Sequence, residues 1–114
     1  MILFVAGDAG PAKYLSYLAR SLEPKEYVCI SSAISRRVFI NMSVNCLDSI
    51  NDFDMKEVAV IVTGTCLNDG VDKKAVSIGK KERIKTISII EHWSLYKKRF
   101  ELNEQYLFPD MIFV

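Results

Sequence analysis

The chain has 114 residues, of which half are apolar and a quarter are charged, and its formal net charge is +1. This length and composition are typical of one globular domain and argue against intrinsic disorder. Because the total charge is nearly balanced, the domain as a whole has no electrostatic case for DNA or RNA binding, and nucleic acid is not an expected partner.

Cysteine usage and hydropathy indicate a cytoplasmic protein. Cys29, Cys46 and Cys66 are far apart and include no C-x-x-C pair, which fits a reducing compartment and offers no zinc site. The N-terminus lacks the features of a signal peptide, and the apolar run Val58–Val62 is far too short to span a membrane. The sequence therefore indicates no metal, no cofactor and no membrane span.

The first half of the chain alternates strand and helix patterns. An uninterrupted apolar run that ends at a glycine predicts a buried strand over Ile2–Ala6. Pro11 then opens a predicted helix, whose apolar stripe consists of Leu15, Leu18 and Leu22 with Ala12 and Ala19 beside them. Further along the chain the patterns predict a strand over 27–31, a helix over 33–42 with Ile34, Val38 and Met42 on one face, and a short edge strand over 44–47.

The second half repeats this alternation. Its strongest strand pattern is the β-branched run Val58–Val62, followed by a basic amphipathic helix from Val71 to about Arg83. A strand over 85–90 comes next, and Ser94 can cap a further helix with Trp93, Tyr96 and Phe100 at helical spacing. A last strand is predicted over 110–114.

Alternating strands and helices imply right-handed crossovers and a mainly parallel sheet. The sequence thus predicts one α/β domain over residues 1–114, with a three-layer Rossmann-like fold and about five to six strands in the order 3-2-1-4-5 plus a C-terminal strand. Ligands of such sheets bind beyond the carboxyl ends of the strands, where the strand order reverses. Here that switch point lies between the first and fourth strands.

The loop after the first strand is the first candidate site. Gly7 and Gly10 allow close backbone approach, and a helix that starts here offers free N–H groups to an anion beside Asp8. The spacing is G-x-x-G rather than the dinucleotide fingerprint, so NAD binding has little support. The alternative is a tight turn in which Asp8 hydrogen-bonds locally.

Two more loops reach the same edge of the predicted sheet. Thr63, Gly64 and Thr65 are suited to hold a phosphate, a carboxylate or a sugar hydroxyl, although no P-loop motif is present. Glu91 and His92 follow the fifth strand and are candidate catalytic acid/base residues. In the competing interpretation, Trp93 and its aromatic neighbours pack in the core and His92 is satisfied by the backbone.

The charge is unevenly distributed along the chain. From Asp72 to Arg99 there are nine lysines and arginines against three acidic residues. This basic segment either meets an anionic ligand or forms the solvated faces of helices.

Several stretches together give a family resemblance. "AGDAGP", "VIVTGT", the lysine-rich helix, and "KTISIIEHWSLYKKRF" followed by "FPDMIFV" resemble the N-terminal half of GT-B type glycosyltransferases and the related sugar-nucleotide 2-epimerases. The likeness extends over nearly the whole chain and implies a role in surface-polysaccharide biosynthesis.

In that superfamily two Rossmann-like domains face each other across a cleft, and the N-terminal one mainly holds the acceptor. The resemblance implies that Gly7, Asp8 and Gly10 border the cleft near the sugar phosphate, and that Glu91 and His92 contact the acceptor or act as acid and base. It also implies that catalysis needs a second domain or subunit, which this sequence does not contain. The alternatives are a non-enzymatic nucleotide- or metabolite-binding regulatory module and a small subunit that forms homo-oligomers.

Overall fold

Six parallel strands form the main sheet of the computed structural model, which describes residues 1–67, 70–90, 95 and 97–114. The strand order is β3-β2-β1-β4-β5-β8, so the predicted order 3-2-1-4-5 with a final outer strand is confirmed. The strands are β1 (Ile2–Ala6), β2 (Tyr27–Ser31), β3 (Cys46–Leu47), β4 (Val60–Thr63), β5 (Lys85–Ile89) and β8 (Met111–Phe113), with a separate hairpin of β6 (Glu101–Leu102) and β7 (Gln105–Tyr106).

Helices cover both faces of the sheet, as a Rossmann-like arrangement of three layers requires. Alternate residues of β1 point to opposite faces, so Phe4 packs with the first two helices and Leu3 with the third. The helices are α1 (Ala9–Arg20), α2 (Ala33–Asn41) and α3 (Val71–Glu82). The larger core, on the α1–α2 face, contains Ala12, Leu15, Ala19, Cys29, Phe39 and Val44.

The predicted buried stripes of α1 and α2 are each wrong at one residue. Leu18 is 45% exposed, because the face of α1 toward the sheet is centred between Leu15 and Ala19. In α2, Ile34 is 67% exposed and Phe39 is fully buried. The other predicted positions are confirmed, since Ala12, Leu15 and Ala19 are fully buried and Leu22, Val38 and Met42 pack against the same core.

The first helix also starts earlier than predicted. It begins at Ala9, with Asp8 as its N-cap residue, and Pro11 lies within its first turn. Proline is tolerated there because the first N–H groups of a helix have no intrahelical acceptor.

The region after β5 contains a hairpin that the sequence did not predict. Residues Lys97–Phe100 form a 3-10 helix instead of the expected α-helix, and β6 and β7 follow. The turn uses Asn103 and Glu104, both with positive φ (50° and 64°). Phe100 is 3% exposed, which confirms its predicted core position, whereas Trp93 and Tyr96 lie outside the described residues.

Within the described part of the chain, none of the helices has both the length and the apolar character needed to cross a membrane.

Candidate functional site

The fold brings two of the predicted ligand-binding loops together. Val5 of β1 pairs with Thr63 of β4, and the Gly64 N–H donates to the Val5 carbonyl at 3.0 Å. The residues after these two strands therefore leave the sheet side by side, with the start of α3 beside them. These residues, Gly7–Gly10 and Thr63–Thr65 together with the first turn of α3, form the switch-point edge.

Gly7 is the meeting point of three helix starts. Its N–H donates to Oδ1 of Asp72 at 2.7 Å, and its carbonyl accepts from the Ser32 hydroxyl at 2.5 Å. Asp72 is in the first turn of α3, and Ser32 is the N-cap residue of α2. A Cβ atom at Gly7 would lie 2.7 Å from Asp72 Oδ1, so a side chain at this position would displace the carboxylate.

Gly64 has a packing role. A Cβ atom here would lie 2.2 Å from Cβ of Pro11 and 3.2 Å from Oδ2 of Asp72. The β4 loop thus runs directly against the first turn of α1, with no space for even a methyl group.

The hydroxyl groups of the two threonines make hydrogen bonds inside the protein. Thr63 is fully buried, and its Oγ1 lies 2.6 Å from Oγ of Ser88 in β5. Thr65 is 4% exposed and accepts from Nη1 of Arg99 at 3.3 Å. Both side chains therefore connect β4 to its neighbours rather than pointing to solvent.

Asp8 and Gly10 lie on the open side of the edge. Both are exposed, and the Asp8 side chain makes no capping hydrogen bond although its backbone is in the N-cap position. The first N–H groups of α1 have no intrahelical acceptor, so this exposed turn combines free donors with a carboxylate. Of the six predicted ligand-binding residues, Asp8 and Gly10 are the two that solvent reaches readily.

Asp72 is the residue of this edge that sequence reasoning missed. It is 2% exposed, its Oδ1 accepts from the Gly7 N–H, and its carboxylate also interacts with the Cys66 thiol. Burial, with a smaller contribution from the charge of Asp8, raises the pKa of Asp72 to about 6, although the bond from Gly7 acts in the opposite direction. A carboxylate in the first turn of a helix is common on solvated surfaces, so the residue type gave no signal of burial.

The thiol of Cys66 is not a nucleophile at neutral pH. Burial, followed by the negative charges of Asp72 and Asp8, raises the pKa of Cys66 to about 12. Since the thiolate is the reactive form, this thiol stays protonated and behaves as a small packing residue.

Beneath the edge is a small space of about 10 Å³, which is room for about one water molecule. The basic side chains that line it have internal acceptors: Lys73 donates to the Leu67 carbonyl at 3.0 Å, and Arg99 donates to Thr65. A sugar or nucleotide is too large for this space, and the residues of the edge that solvent reaches are Asp8 and Gly10. The small space is lined by residues that include Thr63, Gly64, Asp72, Lys73, Ser88 and Arg99.

The predicted catalytic residues Glu91 and His92, with Trp93, lie outside the described residues. Their roles stay predictions. Among the residues that are described, the search for three or more His, Cys, Asp or Glu side chains that could hold a metal ion found no such group.

No family model, no curated protein and no solved structure matches this chain.

Proposed function

We propose that this chain is the acceptor-side domain of a GT-B type glycosyltransferase, binding an acceptor or a sugar-nucleotide ligand at the switch-point edge. The observation that supports this most is the exposed start of α1, where Asp8 and Gly10 lie at the point of strand-order reversal. In open α/β sheets that crevice is where ligands bind.

The chemistry of the open side suits a hydroxyl-rich ligand. Sugar hydroxyls both donate and accept hydrogen bonds, so they can pair with the Asp8 carboxylate and with the first N–H groups of α1. The Asp8 side chain has no capping bond to break before it meets a ligand. In this proposal a second domain or subunit supplies the opposite wall of the cleft, and Glu91 and His92 contribute acid/base chemistry from the loop after β5.

The test is a titration of ¹⁵N-labelled protein with UDP- and CDP-sugars and with neutral oligosaccharides. We expect amide shifts concentrated at Asp8, Gly10 and Thr65. An Asp8→Asn variant should bind about tenfold more weakly, because a hydrogen bond to a charged group is replaced by one to a neutral group.

Asp54→Asn is the matched control. Asp54 is equally an exposed aspartate, but it precedes β4 and so lies at the amino edge of the sheet, where its carboxylate accepts from the Lys56 N–H at 3.0 Å. Asparagine can make the same bond, and binding should be unchanged. Shifts confined to the amino edge, or no shift with any sugar ligand, would contradict the proposal.

A further inference from the structure

Two of the three cysteines face each other across neighbouring parallel strands. Cys29 of β2 is the register partner of Cys46 of β3, and both thiols are in the reduced form. Residues paired in this way have their side chains on the same face of a sheet, and both cysteines contact the core on the α1–α2 face. Cys66 follows β4, which β1 separates from β2, so it lies outside this pair.

The spacing of the two strands is within the range that a disulfide spans. Paired strands lie about 4.8 Å apart, and the Cα atoms of a disulfide lie about 4.4 to 6.8 Å apart. The two sulfur atoms are also near enough for Cys46 to affect the titration of Cys29. Burial, followed by the charge of Cys46, raises the pKa of Cys29 to about 12. The pair therefore needs little movement of the backbone to form a bond.

The remaining movement falls to β3, which is a strand of two residues at the edge of the sheet. The Cβ atoms of a disulfide lie about 3.8 Å apart, so β3 must approach β2 by about 1 Å. β3 is tied to its surroundings by an exposed ion pair of Arg36 with Asp48 at 2.6 Å and by a hydrogen bond from Ser31 to the Leu47 carbonyl at 3.4 Å. Exposed ion pairs contribute little to stability, so this strand is able to adjust. A disulfide that keeps some strain is reduced more easily than a structural one.

The two thiols differ in exposure, and this difference gives the reaction an order. Cys46 is half-buried and borders a surface pocket of about 190 Å³, whereas Cys29 is fully buried. A small disulfide in solution can therefore reach Cys46 and not Cys29. The thiolate is the attacking form, and Cys29 stays protonated at neutral pH, so Cys46 reacts first.

We propose that Cys29 and Cys46 are a redox-active pair that forms a reversible disulfide, with a low-molecular-weight disulfide such as oxidised glutathione as the oxidant. The Cys46 thiol loses its proton to water, and the thiolate attacks one sulfur of the oxidant. The S–S bond of the oxidant breaks, one glutathione leaves, and Cys46 carries a mixed disulfide. The Cys29 thiol then loses its proton and attacks Sγ of Cys46, and the second glutathione leaves.

The net reaction balances. Two protein thiols are oxidised, one glutathione disulfide is reduced to two thiols, and these take up the two protons. The bond joins β3 to β2 covalently, and its formation does not depend on which ligand the switch-point edge binds.

Mass spectrometry of the wild-type protein is the test, because the three cysteines lie in separate tryptic peptides, 26–36, 38–56 and 57–73. The folded protein is treated with oxidised glutathione, quenched with acid and digested. We expect a cross-link between peptides 26–36 and 38–56 and the loss of two of the three thiols. An excess of reduced glutathione should restore both.

The unfolded chain is the control for geometry. Cys29 and Cys66 lie at similar distances along the sequence from Cys46, so in urea the two pairings with Cys46 should form within about twofold of each other. In the folded protein the Cys29–Cys46 cross-link should exceed the Cys46–Cys66 cross-link by at least about tenfold, because the fold aligns only the first pair. The same ratio in both conditions would overturn the inference.

Two variants complete the test. Cys66→Ala keeps both members of the pair and should form the disulfide as the wild type does. Cys46→Ala removes the accessible thiol and should leave Cys29 unmodified in the folded protein, and the wild-type result decides if either variant does not fold. The inference fails if the folded wild type stops at a glutathione adduct on Cys46, keeps all its thiols, or forms a disulfide that reduced glutathione does not open.

Discussion

Two helices begin at the switch-point edge, and their starts are built in opposite ways. At α1 the N-cap residue Asp8 is exposed and its side chain makes no capping bond. At α3 the first turn is buried, and Asp72 is directed inward to the Gly7 N–H. The comparison teaches that strand topology brings both helix N-termini to one edge, whereas the burial of one carboxylate decides which of them a ligand can reach.

The largest expected effect is at Gly64, which lies against the first turn of α1 and close to Asp72 in the first turn of α3. Gly64→Ala places a methyl group 2.2 Å from Cβ of Pro11, so the β4 loop and the first turn of α1 must separate. We expect a loss of ~3 kcal/mol or more in the free energy of unfolding, measured with urea. Gly10→Ala is the matched change on the exposed side and should be neutral or raise stability by about 0.5 kcal/mol. If the two variants changed the free energy of unfolding equally, the difference drawn between the buried and open sides would be contradicted.

The second effect depends on pH. Because the pKa of Asp72 is raised from 3.8 to about 6, its contribution to stability is greatest below about pH 4 and is lost as the pH rises through about 6. Asp72→Asn is neutral throughout and can still accept from Gly7. At pH 7 we expect it to be more stable than the wild type by about 3 kcal/mol, and the difference should shrink toward pH 4. Urea unfolding of both proteins across this range is the measurement, and parallel pH profiles would show that Asp72 does not titrate as described.

The start of α2 allows a test of the second hydrogen bond of Gly7, which its carbonyl accepts from Ser32. The Ser32 hydroxyl donates to the Gly7 carbonyl and accepts from the N–H groups of Ile34 and Ser35. Ser32→Ala should lower the free energy of unfolding by about 1 kcal/mol, since it removes an N-cap. Ser49→Ala removes the cap of a 3-10 turn of only three residues, Ile50–Asp52, and should cost less. A larger loss at Ser49 would contradict the role assigned to the junction at Gly7.

The smallest effect on stability is expected at Asp8. Its side chain makes no capping hydrogen bond, so Asp8→Ala should change the free energy of unfolding by less than about 0.5 kcal/mol. Comparison of its urea midpoint with that of Ser32→Ala is the measurement. A loss as large as that of Ser32→Ala would show that the start of α1 is structural rather than available to a ligand.

The sheet could be predicted from the sequence because its strands are continuous apolar runs that end at glycine or polar residues. The location of Gly7, Asp8, Gly10 and Thr63–Thr65 at one edge followed from that topology, and the register of β1 with β4 confirms it. The role of Asp72 could not be predicted, because its partner Gly7 is 65 residues away and no local pattern joins them. Likewise, Asn103-Glu104 is a weak turn sequence compared with Asn-Gly, which is why the hairpin after Phe100 was missed. Whether Glu91 and His92 are catalytic stays a prediction.

The two hydrogen bonds of Gly7 have a consequence for the order of folding. One joins it to a residue 25 positions away, and the other to a residue 65 positions away. Contacts between distant residues carry a larger loop-closure cost, so the first half of the chain can form its β1–α1–β2–α2 unit before α3 docks. The Gly7 amide proton should then exchange with solvent until the second half is in place. Its exchange rate would report the cooperativity with which the two halves assemble.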